Sequence, residues 1–165
     1  MKKIGILSDT HSYWDERYEK YFDCCDEIWH AGDFGNQEIA DRLAELKPLR
    51  AVYGNCDCGD TRRFYPELLR FKCEEVDVLL KHIGGYPGHY DASVRGKLYA
   101  SPPKLFVCGH SHILRVKYDK SLDMLYINPG AAGIYGHHTE RTLIRLTIDG
   151  NKFPDCEVIS LGRNE

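Results

Sequence analysis

The segment LFVCGHSHIL, Leu105 to Leu114, closes an apolar run with two histidines one residue apart. Side chains at i and i+2 of an extended backbone point the same way, so His110 and His112 can offer two imidazoles to one object. An isolated pair of this kind is better read as solvated loop residues at a strand end, and only partners elsewhere change that. Other apolar runs end alike: GILSDTH in Asp9 and His11, IWHAGD in Asp33, AVYGN in Asn55 and VDVLLKH in His82. Two carboxylates, one amide oxygen and four imidazoles make a mixed O/N set without thiolate, suited to Mn, Fe, Zn or Ni. Seven groups exceed the needs of one tetrahedral zinc. They suffice for two ions about 3.5 to 4 Å apart that share a ligand and leave positions open for water and substrate. Gly32, Gly54 and Gly109 precede three of them and permit the close backbone approach a crowded site needs.

Those side chains must be carried by elements that end together. KKIGILS reads as a buried strand, and YWDERYEKYFDCC as a helix with Trp14, Tyr18, Tyr21 and Phe22 at helical spacing. DEIWHAGD is a second strand, NQEIADRLAELK a helix with Ile39, Leu43 and Leu46 on one stripe, and PLRAVYGN a third strand. This alternation predicts a largely parallel sheet covered by helices, with ligands beyond the carboxyl ends of the strands. Later, ELLRFKCEEVDVLLKHIGG predicts two strands around a turn at Glu74 and Glu75, and YDASVRGKLYA a helix stopped by Pro102 and Pro103. KLFVCGHSH, ILRVKYD, MLYINPG, RTLIRLTIDGNK and CEVISL are further strands, with a turn at Asp149 and Gly150. No repeat or linker interrupts the chain, so a single α/β domain over 1–165 with two sheets is expected.

Bulk properties narrow the field. A chain of 165 residues buries roughly 70% of its unfolded surface and needs no disulfides to fold. With 22 basic and 25 acidic residues the net charge is -3, so no global basic field favours nucleic acid. The apolar start stops at Leu7, too short for a signal-peptide core, and no run approaches a membrane span. A soluble cytoplasmic protein without membrane contact is expected. Seven cysteines fit reduced thiols better than a disulfide framework. Cys56 and Cys58 lack a matching second pair for a zinc site, while Cys24, Cys25, Cys73, Cys108 and Cys156 read as small buried hydrophobes.

The ordered motifs D-x-H at Asp9 to His11, GD at Gly32 and Asp33, GN at Gly54 and Asn55, and GH-x-H at Gly109 to His112 resemble the signature of the calcineurin-like metallophosphoesterases. GNCD at 54–57, the short length and NPGAAG at 128–133 resemble the small bacterial and archaeal phosphodiesterase branch, to which the retromer scaffold subunit is related. The resemblance implies a four-layer α/β/β/α sandwich of two mixed sheets flanked by helices. It also implies two divalent ions, Mn foremost and otherwise Fe, Zn or Ni. Asp9, His11 and His112 would hold one ion, Asn55, His82 and His110 the other, and Asp33 would bridge. Catalysis would rest on Asn55, His110 and Asp33. His82 stands in KHIGG, where the family often has His-Gly.

The function so implied is phosphodiester hydrolysis, with a hydroxide held between the metals attacking phosphorus in line. Two divalent ions against two carboxylates and a hydroxide leave about one positive charge, which suits a small anionic phosphate ester without choosing diester over monoester. Many relatives carry histidine after the motif asparagine as the leaving-group acid; here Cys56 stands there, and Asp57, His89, His137 or solvent are the substitutes. Competing readings are a monoesterase or nucleotide phosphatase of the same fold, and a non-catalytic scaffold. A nuclease is a third, with Arg62, Arg63, Arg95 and Arg115 as its basic strip. A homo-oligomer is compatible with the sequence. His30 reads as packing or hydrogen bonding behind the ligands, His137 and His138 as loop residues, and Tyr86 and Tyr90 as loop packing.

Overall fold

A computed structural model describes residues 1–164. In chain order the elements are β1 (Lys2–Leu7), α1 (Arg17–Phe22), β2 (Glu27–His30), α2 (Gln37–Leu46), β3 (Leu49–Ala51), α3 (Asp60–Phe64), β4 (Leu68–Cys73) and β5 (Val76–Lys81). There follow β6 (Gly85–Tyr86), β7 (His89–Tyr90), α4 (Ala92–Ala100), β8 (Leu105–Val107), β9 (Arg115–Asp119), β10 (Met124–Asn128), β11 (Glu140–Asp149) and β12 (Lys152–Arg163). One five-stranded sheet has the order β12-β11-β1-β2-β3, the other β4-β5-β8-β10-β9, and β6 and β7 form a separate hairpin. Both sheets are mixed. β1, β2 and β3 run parallel, as do β5, β8 and β10, while β11, β12, β4 and β9 pair antiparallel.

Period-two alternation builds the layers. Ile4 and Ile6 of β1 face Val76, Val78 and Leu80 of β5 and Leu105 and Val107 of β8 in a core between the sheets, joined by Ile144, Leu146 and Ile148 of β11. The opposite face of the first sheet, through Leu7, Ile28 and Leu143, packs on Tyr18 and Phe22 of α1 and on Ile39 and Leu43 of α2. The opposite face of the second, through Leu79, Phe106 and Tyr126, packs on Val94 and Leu98 of α4. Three cores between four layers make an α/β/β/α sandwich. Emptying one of the leucine or isoleucine positions to alanine costs about 2 to 5 kcal/mol.

Two elements are absent from the sequence reading: α3 and the β6–β7 hairpin. α1 is also shorter than the aromatic spacing predicts, because Asp15 intervenes. Its carboxylate accepts the Arg17 N–H at 2.9 Å and its carbonyl accepts the Tyr18 N–H at 2.9 Å, so the chain turns there before the helix starts. β12 runs well beyond CEVISL and includes Pro154, which an edge strand tolerates because one side of it needs no ladder donor. Cys25, Cys73 and Cys108 are buried as expected and Cys156 partly so, but Cys24 is exposed.

Candidate metal centre

Five parallel strands, β1, β2 and β3 of one sheet and β5 and β8 of the other, end at one rim of the sandwich. The loops after them carry all the candidate ligands. The loops are tied to one another: Asp9 N–H donates to Gly32 O at 3.0 Å, His11 N–H to Asp33 O at 3.1 Å, and Gly109 N–H to His82 O at 2.9 Å. Asp9, His11, Asp33, His110 and His112 all lie at positive φ, between 41° and 71°. L-residues adopt that conformation at a cost, and its concentration here marks a site whose ligand geometry overrides local backbone preference. Gly32, at φ 102°, backs directly onto the His82 imidazole, and any side chain there would collide with the ring.

Three groups of side chains bring donor atoms within 4.8 Å of one another; two contain only expected ligands, Asp9, His11 and His112, and Asp33, His82 and His110, and the third joins His11 and Asp33 to Cys56. Asn55 Oδ1 lies 3.1 Å from His110 Nδ1 and so borders the second cluster. Asp33 belongs to both neighbourhoods, its Oδ2 lying 3.1 Å from His82 Nε2 and 3.6 Å from His11 Nε2. Each carboxylate has one oxygen secured and one free. Asp9 Oδ2 accepts from Ser8 Oγ–H at 2.6 Å and His110 N–H at 3.1 Å, and Asp33 Oδ1 accepts from Cys56 N–H at 2.8 Å. His82 donates Nδ1–H to Ala31 O at 2.7 Å, across from one sheet to the other, which leaves its Nε2 lone pair aimed into the site.

Among the described residues, Asp9 Oδ1, His11 Nε2 and His82 Nε2 are buried without any hydrogen-bond partner. Buried polar atoms cost free energy when unpaired, and three of them pointing into one space fit a bound cation. The charge balance agrees. Burial would raise the Asp9 carboxyl, but the His11 and His112 rings that face it, together with nearby His82, outweigh burial and hold Asp9 far below the usual carboxylate range. Asp33 is likewise held down, burial being outweighed by His82. Burial alone would lower His82, yet Asp33 and Asp9 raise it. The two carboxylates are therefore ionised, and the O/N donor set they form with the imidazoles suits borderline divalent ions.

Residues around the ligands fall into place by their hydrogen bonds. His30 is buried, and burial pushes it down to about 3. It accepts Gly32 N–H on Nδ1 at 3.0 Å, and its Nε2 lies 3.1 Å from Thr10 Oγ, so it holds two loops from behind rather than facing the donors. Asp57, a candidate acid by sequence, is a buried clamp that accepts N–H bonds from Gly54 at 2.8 Å, Asp33 at 2.9 Å and Gly35 at 3.2 Å. The NPGAAG loop serves the site from the other side: Ala132 and Gly133 donate N–H to Ser8 and Asp9 carbonyls at 2.9 and 3.1 Å, and Asn128 Nδ2 donates to Gly109 O at 3.0 Å. Cys56 lies near His11 and Asp33, whereas Cys58 joins no ligand cluster among the described residues.

A recess of about 570 Å³ adjoins these clusters, lined by His110, His112, Ile113, Tyr135, His137 and His138. Ile113 is 58% and Tyr135 67% exposed, so this wall is apolar and open to a ligand. His137 therefore lines this recess, while His89 packs at a tilt against Tyr86 in the β6–β7 hairpin. Of the basic candidates, Arg62 lines a second recess beside Asn55 and His82, whereas Arg63, Arg95 and Arg115 line neither of the two.

The calcineurin-like phosphoesterase superfamily domain matches residues 1–151. The chain belongs to that superfamily, a family of metal-dependent phosphoester hydrolases, and its sandwich is the metallophosphoesterase fold. A probable metallophosphoesterase of Methanocaldococcus jannaschii is 32% identical over 134 residues, covering 78% of this chain and 67% of the relative. Vps29 of Entamoeba histolytica, solved in complex with Zn²⁺, superposes with a TM-score of 0.75 at 16% identity over 96% of this chain and 98% of its own. A structurally and functionally characterised archaeal phosphodiesterase gives a TM-score of 0.73 at 21% identity over 96% and 99% of the two chains. At such identities these structures speak for the fold alone. No helix among the described residues is long and apolar enough to cross a membrane.

Proposed function

We propose that this protein is a dinuclear-metal-dependent phosphodiesterase that cleaves small phosphate esters by direct in-line hydrolysis. The observation that carries the reading is the pair of donor clusters meeting at Asp33 Oδ2, with three orphaned buried atoms aimed between them. Asp9, His11 and His112 would hold one ion, Asn55, His82 and His110 the other, and Asp33 would bridge. Manganese is the metal we expect, with Fe, Zn or Ni as alternatives for the same donors. Such ions supply Lewis-acid stabilisation of phosphoryl oxygens and activation of water.

The protein's own part is to hold this geometry and admit the ester. Asp9 and Asp33 keep one oxygen each free because the Ser8 hydroxyl and the His110 and Cys56 amides occupy the other. Asn55 and His110, together at the mouth of the site and both exposed, are placed to orient the phosphoryl group. The apolar wall of Ile113 and Tyr135 would receive the organic group of a singly charged diester. The complete donor set supports catalysis over a purely scaffolding role. The seven free cysteines support a reducing, cytoplasmic setting.

The test is hydrolysis of matched aryl phosphodiester and phosphomonoester by chelator-stripped protein reconstituted with Mn. Faster, metal-dependent diester turnover is expected. Faster monoester turnover would make it a metallophosphatase, and no turnover with any of the four metals would leave the scaffold.

A further inference from the structure

The loop between β10 and β11 carries a histidine that no ligand cluster includes, His138. Its Nε2 lies 2.8 Å from the Gly133 carbonyl. A carbonyl only accepts, so the His138 proton sits on Nε2, and its Nδ1 is an acceptor in the neutral ring. That Nδ1 lies 3.2 Å from His112 Nδ1, so the proton between the rings belongs to His112. The His112 ring therefore carries its hydrogen on Nδ1 and turns Nε2 toward Asp9 Oδ1, 3.2 Å away.

The backbone is shaped around this pair. Gly136 passes over it at φ 127°, and a Cβ there would collide with His112 Nδ1 and press on His138 Nδ1. Asn164 Nδ2 donates to the His138 carbonyl at 3.1 Å, which anchors the loop at the end of β12. The Gly133 carbonyl that receives His138 belongs to the residue whose N–H is donated to Asp9 O at 3.1 Å. One loop thus grips both Asp9 and the ring that faces it.

We propose that His138 is a positioning residue: through the relay Gly133 C=O, His138, His112 it fixes His112 in the Nδ1–H tautomer and orients its Nε2 lone pair for a divalent cation beside Asp9. This rests on reading His112 as a metal ligand. Without the relay the His112 ring is free to rotate and to place its proton on Nε2, which removes the donor. A partner that sets the tautomer and orientation of a ligating histidine is worth about 10- to 100-fold in metal affinity.

The experiment compares the wild-type protein with His138→Phe, His138→Asn and Gly136→Ala. Long-range ¹H–¹⁵N spectra of the metal-free proteins report the His112 tautomer, and calorimetric titration with Zn²⁺ reports stoichiometry and affinity. Wild type should show His112 protonated at Nδ1 and bind two ions. His138→Phe should mix the tautomers and weaken one ion by about 10- to 100-fold, leaving the other unchanged. His138→Asn, whose Oδ1 can still accept from His112, should recover most of that loss. Gly136→Ala, which keeps His138 but obstructs the pair, should repeat the loss and covers the case in which the Phe variant folds poorly.

An unchanged His112 tautomer and unchanged Zn²⁺ affinity in His138→Phe would overturn the role of His138 while leaving the metal centre intact. A wild-type His112 protonated on Nε2 would overturn it as well. Wild-type protein that binds no Zn²⁺ would overturn the metal reading and, with it, the role assigned to His138.

Discussion

His82 and Asp33 meet from opposite sheets, with His82 Nε2 3.1 Å from Asp33 Oδ2, yet Nε2 makes no hydrogen bond. The other nitrogen is committed to the Ala31 carbonyl, so in the neutral ring the Nε2 lone pair faces the carboxylate, an arrangement that a cation between them would satisfy. Replacing His82 with alanine should therefore reduce metal affinity and turnover by a large factor while the fold survives. Metal analysis and circular dichroism on the same sample check this. Unchanged metal content and rate would make His82 structural.

Asp33 lies against both clusters, whereas His112 touches one. Asp33→Ala should lower the bound Mn from about two ions per chain to fewer than one, and His112→Ala should remove about one. Elemental analysis after Mn loading measures both. A wild-type stoichiometry of one would refute the shared ligand.

Cys56 stands near His11 and Asp33, and its thiol is raised above its ordinary value by burial and the Asp33 charge. A thiol so raised stays protonated at neutral pH and is a poor acid for an alkoxide leaving group. With Asp57 engaged as a clamp, turnover should depend steeply on leaving-group pKa, and Cys56→Ser should change little. kcat/KM across a series of aryl and alkyl diesters decides. A flat dependence with rate-limiting chemistry would point to His137, which lines the recess, as the donor.

Acid stability should depend on Asp15. Its carboxylate accepts from Arg17 Nε at 3.0 Å, Arg17 Nη2 at 2.7 Å and Arg141 Nη2 at 3.0 Å. The Arg17 bonds first, with Arg141 added and burial opposing, hold it well below the usual carboxylate range. A depressed folded-state pKa contributes stability that is complete above the unfolded value near 3.9 and is lost as pH falls toward the folded one. Asp15→Asn should cost about 2 kcal/mol at pH 7, and the difference from wild type should shrink below about pH 4. Denaturant unfolding at pH 7 and pH 3 checks it; an equal difference at both would sink the idea.

The site was legible in the sequence wherever an apolar run met a polar residue, because strand ends of parallel sheets are where side chains collect. Asp9, His11, Asp33, Asn55, His82, His110 and His112 each follow such a run, and the structure brings them to one rim. What remained hidden depends on tertiary partners. Asp57 looks like an acid beside Cys56 until three backbone amides are seen to surround it. His138 looks like a loop residue because its partner is 26 positions away. The neighbouring Gly136 was the available signal, and it acquires meaning only once the two rings lie beneath it. The β6–β7 hairpin pairs two residues with two, too short to leave a periodicity, and α3 is only five residues long.

The candidate ligands are divided between the two sheets: Asp9, His11, Asp33 and Asn55 follow strands of one, His82, His110 and His112 strands of the other. An ion held among them is a reversible cross-link between parts of the chain as distant as residues 9 and 112, closing a large loop of the polypeptide much as a covalent bridge does. Its loss would withdraw the ion's binding free energy from the folded state. Apparent stability would then rise with the concentration of free metal, and a chelator would lower it.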